Sequence, residues 1–150
     1  MRANRVLTTQ AAILMAAAAM AGEKKVALKD LPPAVQAAVQ AHAKDLAGYS
    51  LSVEDEDGQR SYELETKVDG FSRDLRMDAS GVVIEMEEEI DPGRLPDAVR
   101  RAVDGASGGG TIRKVEAVTK DGATEYEVVV KGGTGKSKLV VASDGTIRKE

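Results

Sequence analysis

The feature that most constrains the fold is an internal repeat with a spacing of 64 residues. The segment that begins at Leu31 aligns without a gap on the segment that begins at Leu95. Between residues 31–86 and 95–150, thirteen aligned positions are identical, and they fall at turns and at apolar positions. Self-similarity of this kind predicts two copies of one supersecondary unit.

The N-terminal segment is predicted to be an export signal. Arg2 and Arg5 give a positively charged start, an alanine-rich apolar run follows, and Ala21 precedes the predicted cleavage site. The apolar run is shorter than the roughly 20 residues that a permanent membrane-spanning helix needs. We therefore predict a secreted or periplasmic protein without a stable membrane span. The predicted boundaries are 1–21 for the signal peptide, 22–30 for a lead-in segment, 31–91 for repeat 1 and 92–150 for repeat 2.

Each repeat is predicted to begin with a short helix, because proline suits a first helical turn and apolar residues then recur at helical spacing. The predicted apolar stripes are Val35, Val39, His42 and Leu46 in repeat 1, and Leu95, Val99, Ala102, Val103 and Ala106 in repeat 2. Gly105 and Gly108 to Gly110 are expected to end the second helix. After each helix the period becomes 2, and Asp-Gly or Ser-Gly pairs mark turns. The predicted strands lie near 48–56, 59–68, 71–79 and 82–89, and near 111–120, 123–131, 136–142 and 145–149.

Alternation along these strands predicts one apolar and one polar face. The apolar face should lie under the helices and contains Tyr62, Leu64, Thr66, Leu75, Met77, Tyr126, Val128, Val130, Leu139 and Val141. The opposite face contains Glu63, Glu65, Lys67, Asp74, Arg76 and Asp78, and then Glu127, Val129, Lys131, Lys138, Val140 and Ala142. The predicted fold class is therefore α+β: two tandem helix-plus-four-stranded antiparallel meander repeats, with helices on one face of the sheet and the other face open.

The ordered pattern resembles a known family. The Leu-Pro-x-Ala-Val helix start, the Asp-Gly-x-x-x-Tyr-Glu hairpin and the Asp-x-x-Gly-x-(Val/Ile) ending look like a tandem PepSY-like protein, of the group similar in fold to β-lactamase-inhibitor proteins. The resemblance covers nearly all of residues 30–150. It implies an exported or cell-envelope protein that binds or inhibits other proteins, with peptidases as the usual suggestion, and it implies no catalytic residues.

The sequence Gly132 to Ser137, GGTGKS, is similar to a phosphate-binding loop but lacks its context. Such a loop needs an earlier glycine where Val130 stands, and a helix must follow it. The residues that follow are β-rich, and the 64-residue shift places the segment on the predicted turn at Asp69. We therefore predict a glycine-rich hairpin loop.

Other chemistry is weakly supported by the sequence. His42 is the sole histidine and lacks the orienting partner and nucleophile that general-base catalysis requires. The acidic run from Glu85 to Asp91 lacks the ligand order of a calcium loop and is interpreted as a solvated connector between the repeats. A net charge of −4, the absence of tryptophan and the single phenylalanine disfavour nucleic acid as a partner. No cofactor, metal site or enzymatic activity is predicted.

The favoured function is a binding module that presents its open sheet face to an unidentified extracytoplasmic protein, with a peptidase as one candidate. The alternative is an envelope protein that binds a small ligand or a cation through the acidic face or the crease between the repeats. The predicted partner-binding residues are Glu63, Glu65, Lys67, Arg76, Glu127, Val129, Lys131 and Val140.

Overall fold

The structure, a computed structural model, describes residues 23–43 and 47–148, so the predicted export signal lies outside the described residues. Within those residues, nine strands form one antiparallel sheet in which each strand pairs with its neighbours in sequence. The same part of the chain contains two α-helices, α1 at Pro33–His42 and α2 at Asp97–Ala106. The prediction of an α+β fold with an antiparallel sheet is confirmed. The strands are β1 (Lys24–Lys25), β2 (Ser50–Glu56), β3 (Gln59–Val68), β4 (Phe71–Met77), β5 (Val83–Glu89), β6 (Thr111–Lys120), β7 (Ala123–Gly132), β8 (Gly135–Ala142) and β9 (Ile147–Arg148).

Asp-Gly pairs form several of the tight turns between strands, as predicted. Asp57, Asp69 and Asp121 have φ angles of 50°, 53° and 51°, and each precedes a glycine that also has positive φ. This pair of left-handed residues is typical of the two-residue turn that matches the twist of antiparallel strands. The turn residues therefore fix the strand ends close to the predicted positions.

The buried stripe of α1 differs in part from the predicted one. Val35, Val39 and Ala43 are buried, whereas His42 is half-buried, and Leu46 lies outside the described residues. Positions four residues apart lie almost directly above one another on a helix, so Ala43 continues the line of the two valines. His42 precedes it by one residue and lies at the side of the stripe.

The end of α2 also differs from the prediction. Gly105 lies inside the helix, which continues to Ala106, and the Ser107 N–H donates to the Val103 carbonyl oxygen. Ala106 is exposed instead of buried. A glycine near a helix end is tolerated when the backbone hydrogen bonds continue, and here Gly108 is the first residue after the helix with positive φ.

The described residues form two separate hydrophobic clusters. One combines residues from α1 with residues from the first strands, and its members are Leu31, Val35, Val39, Ala43, Leu51, Tyr62, Leu64, Leu75 and Met77. The other combines residues from α2 with residues from later strands, and its members are Leu95, Val99, Val103, Val115, Val128, Val130 and Val141. Tyr126 and Leu139 are partly buried against the second cluster. We call residues 23–91 the N-terminal half and residues 92–148 the C-terminal half.

Local backbone geometry recurs at the 64-residue spacing. The Leu31 N–H donates to the Leu28 oxygen at 3.2 Å, and the Leu95 N–H donates to the Pro92 oxygen at 3.3 Å. Both bonds close a short 3₁₀ turn, and the first of these turns lies within the predicted lead-in segment.

A close contact between a turn and a helix recurs at the same spacing. A Cβ atom added at Gly81 would lie 2.5 Å from the Ala34 carbonyl oxygen, and one added at Gly145 would lie 2.8 Å from the Ala98 carbonyl oxygen. Both glycines also have positive φ, of 80° and 90°. Each turn therefore approaches the first turn of its helix more closely than a side chain would allow.

The sheet continues from one half into the other through the pairing of β5 with β6. Five residue pairs join these strands, from Glu85 opposite Lys120 to Glu89 opposite Glu116. The short pairing of β1 with β2 is its counterpart, because Lys25 lies opposite Ser52 and both positions are 64 residues earlier. The strand pairing that forms an edge of the sheet in the N-terminal half thus corresponds to an interior pairing where the two halves meet. We call this pairing of β5 with β6 the seam.

Candidate functional site

The eight residues predicted to bind a partner lie on one face of the sheet. They alternate along the strands with buried core residues such as Leu64 and Val128, and successive residues of a strand point to opposite faces. The register places Glu63 opposite Arg76 and Glu127 opposite Val140. We call this surface the polar face. Its other predicted members are Glu65, Lys67, Val129 and Lys131.

The polar face is only partly exposed to water. Glu65, Lys67 and Lys131 are exposed, whereas Glu63, Arg76 and Val140 are half-buried. Long side chains on neighbouring strands stand about 5 Å apart and shield one another. Charges near the middle of the face are therefore less well hydrated than ordinary surface charges.

The predicted strand near 82–89 is confirmed as β5, whereas the interpretation of the acidic run from Glu85 as a solvated connector is wrong for residues 85–89. These residues form most of β5, which pairs with β4 on one side and with β6 on the other. Glu85, Glu87 and Glu89 alternate with Met86 and Glu88 and lie on the polar face. The signal in the sequence was the spacing of two residues between these acids, which is typical of a strand with one polar face.

Glu85 is the most deeply buried acid of the face. Its side chain is only 6% exposed, and its carboxylate lies 3.5 Å from the Arg76 guanidinium and 3.1 Å from the Lys120 ammonium. A buried charge is tolerated when opposite charges surround it. Through these two ion pairs, Glu85 links β5 to β4 and to β6 at one end of the seam.

Glu87 lies beside Glu85 without comparable compensation. Asp74 stands opposite it on β4 and Val118 stands opposite it on β6. Burial, together with the negative charges of Glu116 and other neighbouring acids, raises the pKa of Glu87 to about 7. Glu87 therefore changes its protonation near neutral pH.

Two further acids on the same face hold their protons more tightly than usual. Burial raises the pKa of Glu63 to about 6, and the negative charges of Glu65 and Glu23 act in the same direction. Burial also raises the pKa of Asp74, with the charges of Glu65 and Glu116 as further causes. Together with Arg76, Glu85 and Glu87, Glu63 and Asp74 line a shallow depression in the face.

Sequence reasoning missed the importance of this depression. The alternation places Asp74 on the correct face but outside the predicted site, and it predicts a strand at Glu85 and Glu87 without assigning these acids to the site. The strand register brings the three acids together, because Glu85 lies opposite Arg76 and Glu87 lies opposite Asp74. The alternation of residues 85–89 could have found the last two, but their partners across the sheet depend on strand order.

Ion pairs join several charges in the C-terminal part of the polar face. Glu127 pairs with Lys138, and Glu125 pairs with Arg148. Lys114 lies 2.6 Å from Glu116. Val129 and Val140 stand among these charges, and Val118 on the same face is 2% exposed. This region combines compensated charges with small apolar surfaces.

The structure also shows where other features of the sequence lie. GGTGKS spans the turn between β7 and β8, where Gly132 pairs with Gly135 and a strand follows instead of a helix. The described residues contain no group of three or more acids and histidines arranged to hold a metal ion. None of the helices in this part of the chain is long and apolar enough to cross a membrane.

Comparison with solved structures identifies similar folds. A protein from Bacteroides eggerthii, provisionally described as periplasmic, matches with a TM-score of 0.64 and 17% identity, over 79% of this chain and 86% of that one. A member of the DUF2874 family from Bacteroides uniformis matches with a TM-score of 0.62 and 20% identity, over 79% and 86% of the two chains. A BLIP-like protein from Bacteroides fragilis matches with a TM-score of 0.56 and 22% identity, over 77% and 82%.

These similarities place the chain in a BLIP-like fold group. No family model matches the sequence, and no curated protein matches it. The identities are low, so the structural comparison concerns the fold, and the function has to be argued from the polar face itself.

Proposed function

We propose that this protein is an exported, non-enzymatic binding module built from a tandem repeat of one PepSY-like unit, and that it docks another protein on the polar face. The tandem interpretation is supported by the turns that close at Leu31 and Leu95 and by the glycine contacts at Gly81 and Gly145. Export is supported by the signal-like N-terminus and by the similar fold provisionally described as periplasmic.

The observation that carries the proposal is the one-sided construction of the sheet. Both hydrophobic clusters combine helix residues with one face of the strands, and the described helices contribute to those clusters. The other face is left with half-buried charges and with Val129 and Val140. A surface that is neither fully apolar nor fully hydrated is typical of protein interfaces that form and dissociate.

The expected partner is an extracytoplasmic protein, and a peptidase is the candidate that the family resemblance favours. The BLIP-like structural neighbour supports protein binding as the mode of action. On this proposal the partner-binding residues are the eight predicted from the sequence together with Asp74, Glu85 and Glu87, which line the depression.

The test compares two charge-reversed variants of the chain without its predicted signal. In the face variant, Glu65→Lys and Lys131→Glu reverse two exposed charges on the polar face. In the control variant, Arg101→Glu reverses an exposed charge on α2. We expect a partner captured from the extracytoplasmic fraction to bind the wild type and the control and to be lost from the face variant, as measured by quantitative mass spectrometry.

The opposite pattern would reject the polar face as the docking surface. If the partner remained bound to the face variant and was lost from the Arg101→Glu control, docking would occur on the helical side. Circular dichroism of each variant would establish that the loss of binding did not come from loss of the fold.

A second candidate function is the binding of a small ligand or a cation in the depression. It is favoured by the carboxylates of Glu63, Asp74, Glu85 and Glu87, which line the depression and supply oxygen ligands, although no three acids of the described residues are arranged as a ready-made metal site. Calorimetric titration with Ca²⁺ and with Mg²⁺ tests it. Binding heat that disappears in Glu87→Gln would support this function, and the absence of heat for both ions would reject it for divalent cations.

A further inference from the structure

We propose that the seam between β5 and β6 is a pH-sensitive joint, in which opposed carboxylates loosen the connection between the halves at neutral pH and tighten it in mild acid. The proposal concerns the fold of the chain itself and does not require the docking function. It is carried by the register of the charges and by the separation of the two hydrophobic clusters.

Like charges stand directly opposite one another along and beside the seam. Glu89 of β5 lies opposite Glu116 of β6, and Glu116 lies opposite Glu127 of β7. On the other side, Glu87 lies opposite Asp74 of β4. Like charges at directly opposed positions weaken a strand pair. One such pair, Glu89 with Glu116, crosses the seam itself, and the other two lie on the strand pairings directly beside it.

The two hydrophobic clusters are separate, and apolar contact crosses the seam at its far end, where Ile90 follows β5 and packs against the cluster of the C-terminal half. Of the residues on β5, only Val83 and Met86 contact the cluster of the N-terminal half, among the described residues. Ala117 and Thr119, which flank the seam on the helical side of β6, belong to neither cluster. Five residue pairs join β5 to β6, as five join β4 to β5, whereas nine join β6 to β7. Less apolar burial and fewer backbone pairs give a region a lower cost of local opening.

The cations near Glu87 already have partners. On β4 and β6, Arg76 and Lys120 both pair with Glu85. Lys114 of β6 pairs with Glu116, and Lys138 of β8 pairs with Glu127. Within residues 23–43 and 47–148, the other charged groups on this part of the polar face are acids, namely Asp74 of β4, Glu85 and Glu89 of β5, Glu116 of β6, and Glu125 and Glu127 of β7.

The direction of the pH effect follows from the raised pKa of Glu87. The ordinary pKa of a glutamate is 4.5, and in the folded chain that of Glu87 is about 7. The folded joint therefore binds a proton more tightly than the opened joint does. Its stability is greatest below the ordinary pKa and is lost as the pH rises through about 7. Glu63 and Asp74, whose pKa values are also raised, act in the same direction.

Hydrogen exchange measured by mass spectrometry or NMR tests the joint locally. The amides of Glu85 to Glu89 and of Glu116 to Lys120 should be protected at least about tenfold more strongly at pH 5.5 than at pH 8, after correction for intrinsic exchange rates, which corresponds to one pKa unit of linkage. The amides of the β7–β8 hairpin should change much less. Equal protection of the seam at both pH values, or an equal change throughout the sheet, would overturn the proposal.

Two variants separate the joint from a general effect of charge. Glu87→Gln should give strong protection at pH 8 and should remove most of the pH response. Glu23→Gln changes the residue 64 positions earlier, which is exposed beside β1 and acts on Glu63 but not on Glu87, so it should leave most of the response intact. A pH response that survives Glu87→Gln unchanged, or that Glu23→Gln removes equally, would show that the seam carboxylates do not control the opening.

Discussion

The two halves of the molecule share a core and differ on the polar face. Leu64, Leu75 and Met77 correspond to Val128, Leu139 and Val141, and all six are apolar and belong to, or pack against, the two hydrophobic clusters. On the other face, Glu65 corresponds to Val129, Asp74 to Lys138 and Arg76 to Val140. Packing against a helix restricts what the inner positions can become, because a polar group there would need a buried partner. The outer positions are not restricted in this way and differ between the halves. The proposed docking surface lies on these positions.

A similar contrast exists between the edge and the seam. At the edge, Lys25 lies opposite Ser52 and its ammonium lies 2.9 Å from the Ser50 hydroxyl. At the seam, Glu89 occupies the corresponding position and faces Glu116. Lysine on a short edge strand discourages pairing with other chains. The glutamate at the seam has no such role, which is why we interpret its repulsion as part of the joint.

The largest expected effect comes from the shared core. Leu64→Ala removes a fully buried side chain from the N-terminal cluster and should lower the free energy of unfolding by about 2–5 kcal/mol. Val128→Ala, at the corresponding position, removes two carbons instead of three and should cost roughly two thirds as much. Urea unfolding followed by circular dichroism measures both. A larger loss for Val128→Ala would show that the two cores are not packed equivalently.

The next effect tests the contacts between turns and helices. Gly81→Ala should cost about 2–4 kcal/mol, because it adds a clash with the Ala34 oxygen to the cost of positive φ. Gly145→Ala should cost slightly less, since its contact is longer. Gly58→Ala is the matched control, with φ of 78° and open space around its Cβ, and should cost about 1–2 kcal/mol. Thermal unfolding gives the order, and equal losses at Gly58 and Gly81 would contradict the close approach.

A smaller effect, of opposite sign, should come from making the seam resemble the edge. Glu89→Lys replaces a like-charge pair with an opposite-charge pair and should stabilise the chain at pH 8 by about 0.5–1 kcal/mol. The gain should shrink at high salt, because the groups are partly exposed and screened. Urea unfolding in low and high salt measures it. A gain that does not depend on salt would indicate packing instead of charge.

The sequence allowed the strands and turns to be predicted closely, and the polar face less completely. Asp57 and Asp121 predicted hairpins correctly because aspartate before glycine adopts left-handed conformations easily. Such turn preferences depend only on a few neighbouring residues. The depression depends on which strands are neighbours. Glu87 meets Asp74 only because β5 pairs back on β4, and it meets the acids of β6 only because the two halves share a sheet. Periodicity predicts which face of the sheet a residue lies on, but it does not predict the order of the strands.

The smallest expected effect concerns one position near the β2–β3 turn and its counterpart. Asp55 accepts two hydrogen bonds of 2.8 Å from Arg60, and the corresponding Thr119 and Thr124 hydroxyls lie 2.9 Å apart. The hydrogen bond from Arg60 lowers the pKa of Asp55, so any stabilisation is present above the ordinary pKa of an aspartate and is lost as the pH falls through the lowered value.

Double-mutant cycles distinguish these two pairs. The Asp55–Arg60 pair is exposed, so its coupling should vanish in 0.5 M salt, roughly three times physiological ionic strength. The half-buried threonine pair should keep a coupling of roughly 0.2–0.5 kcal/mol, since a hydrogen bond between neutral groups is not screened. Urea unfolding of the single and double variants with alanine for the charged pair and valine for the threonines provides the measurement. A coupling of the charged pair that persisted in salt would mean that the N-terminal hairpin is better shielded from water than its counterpart.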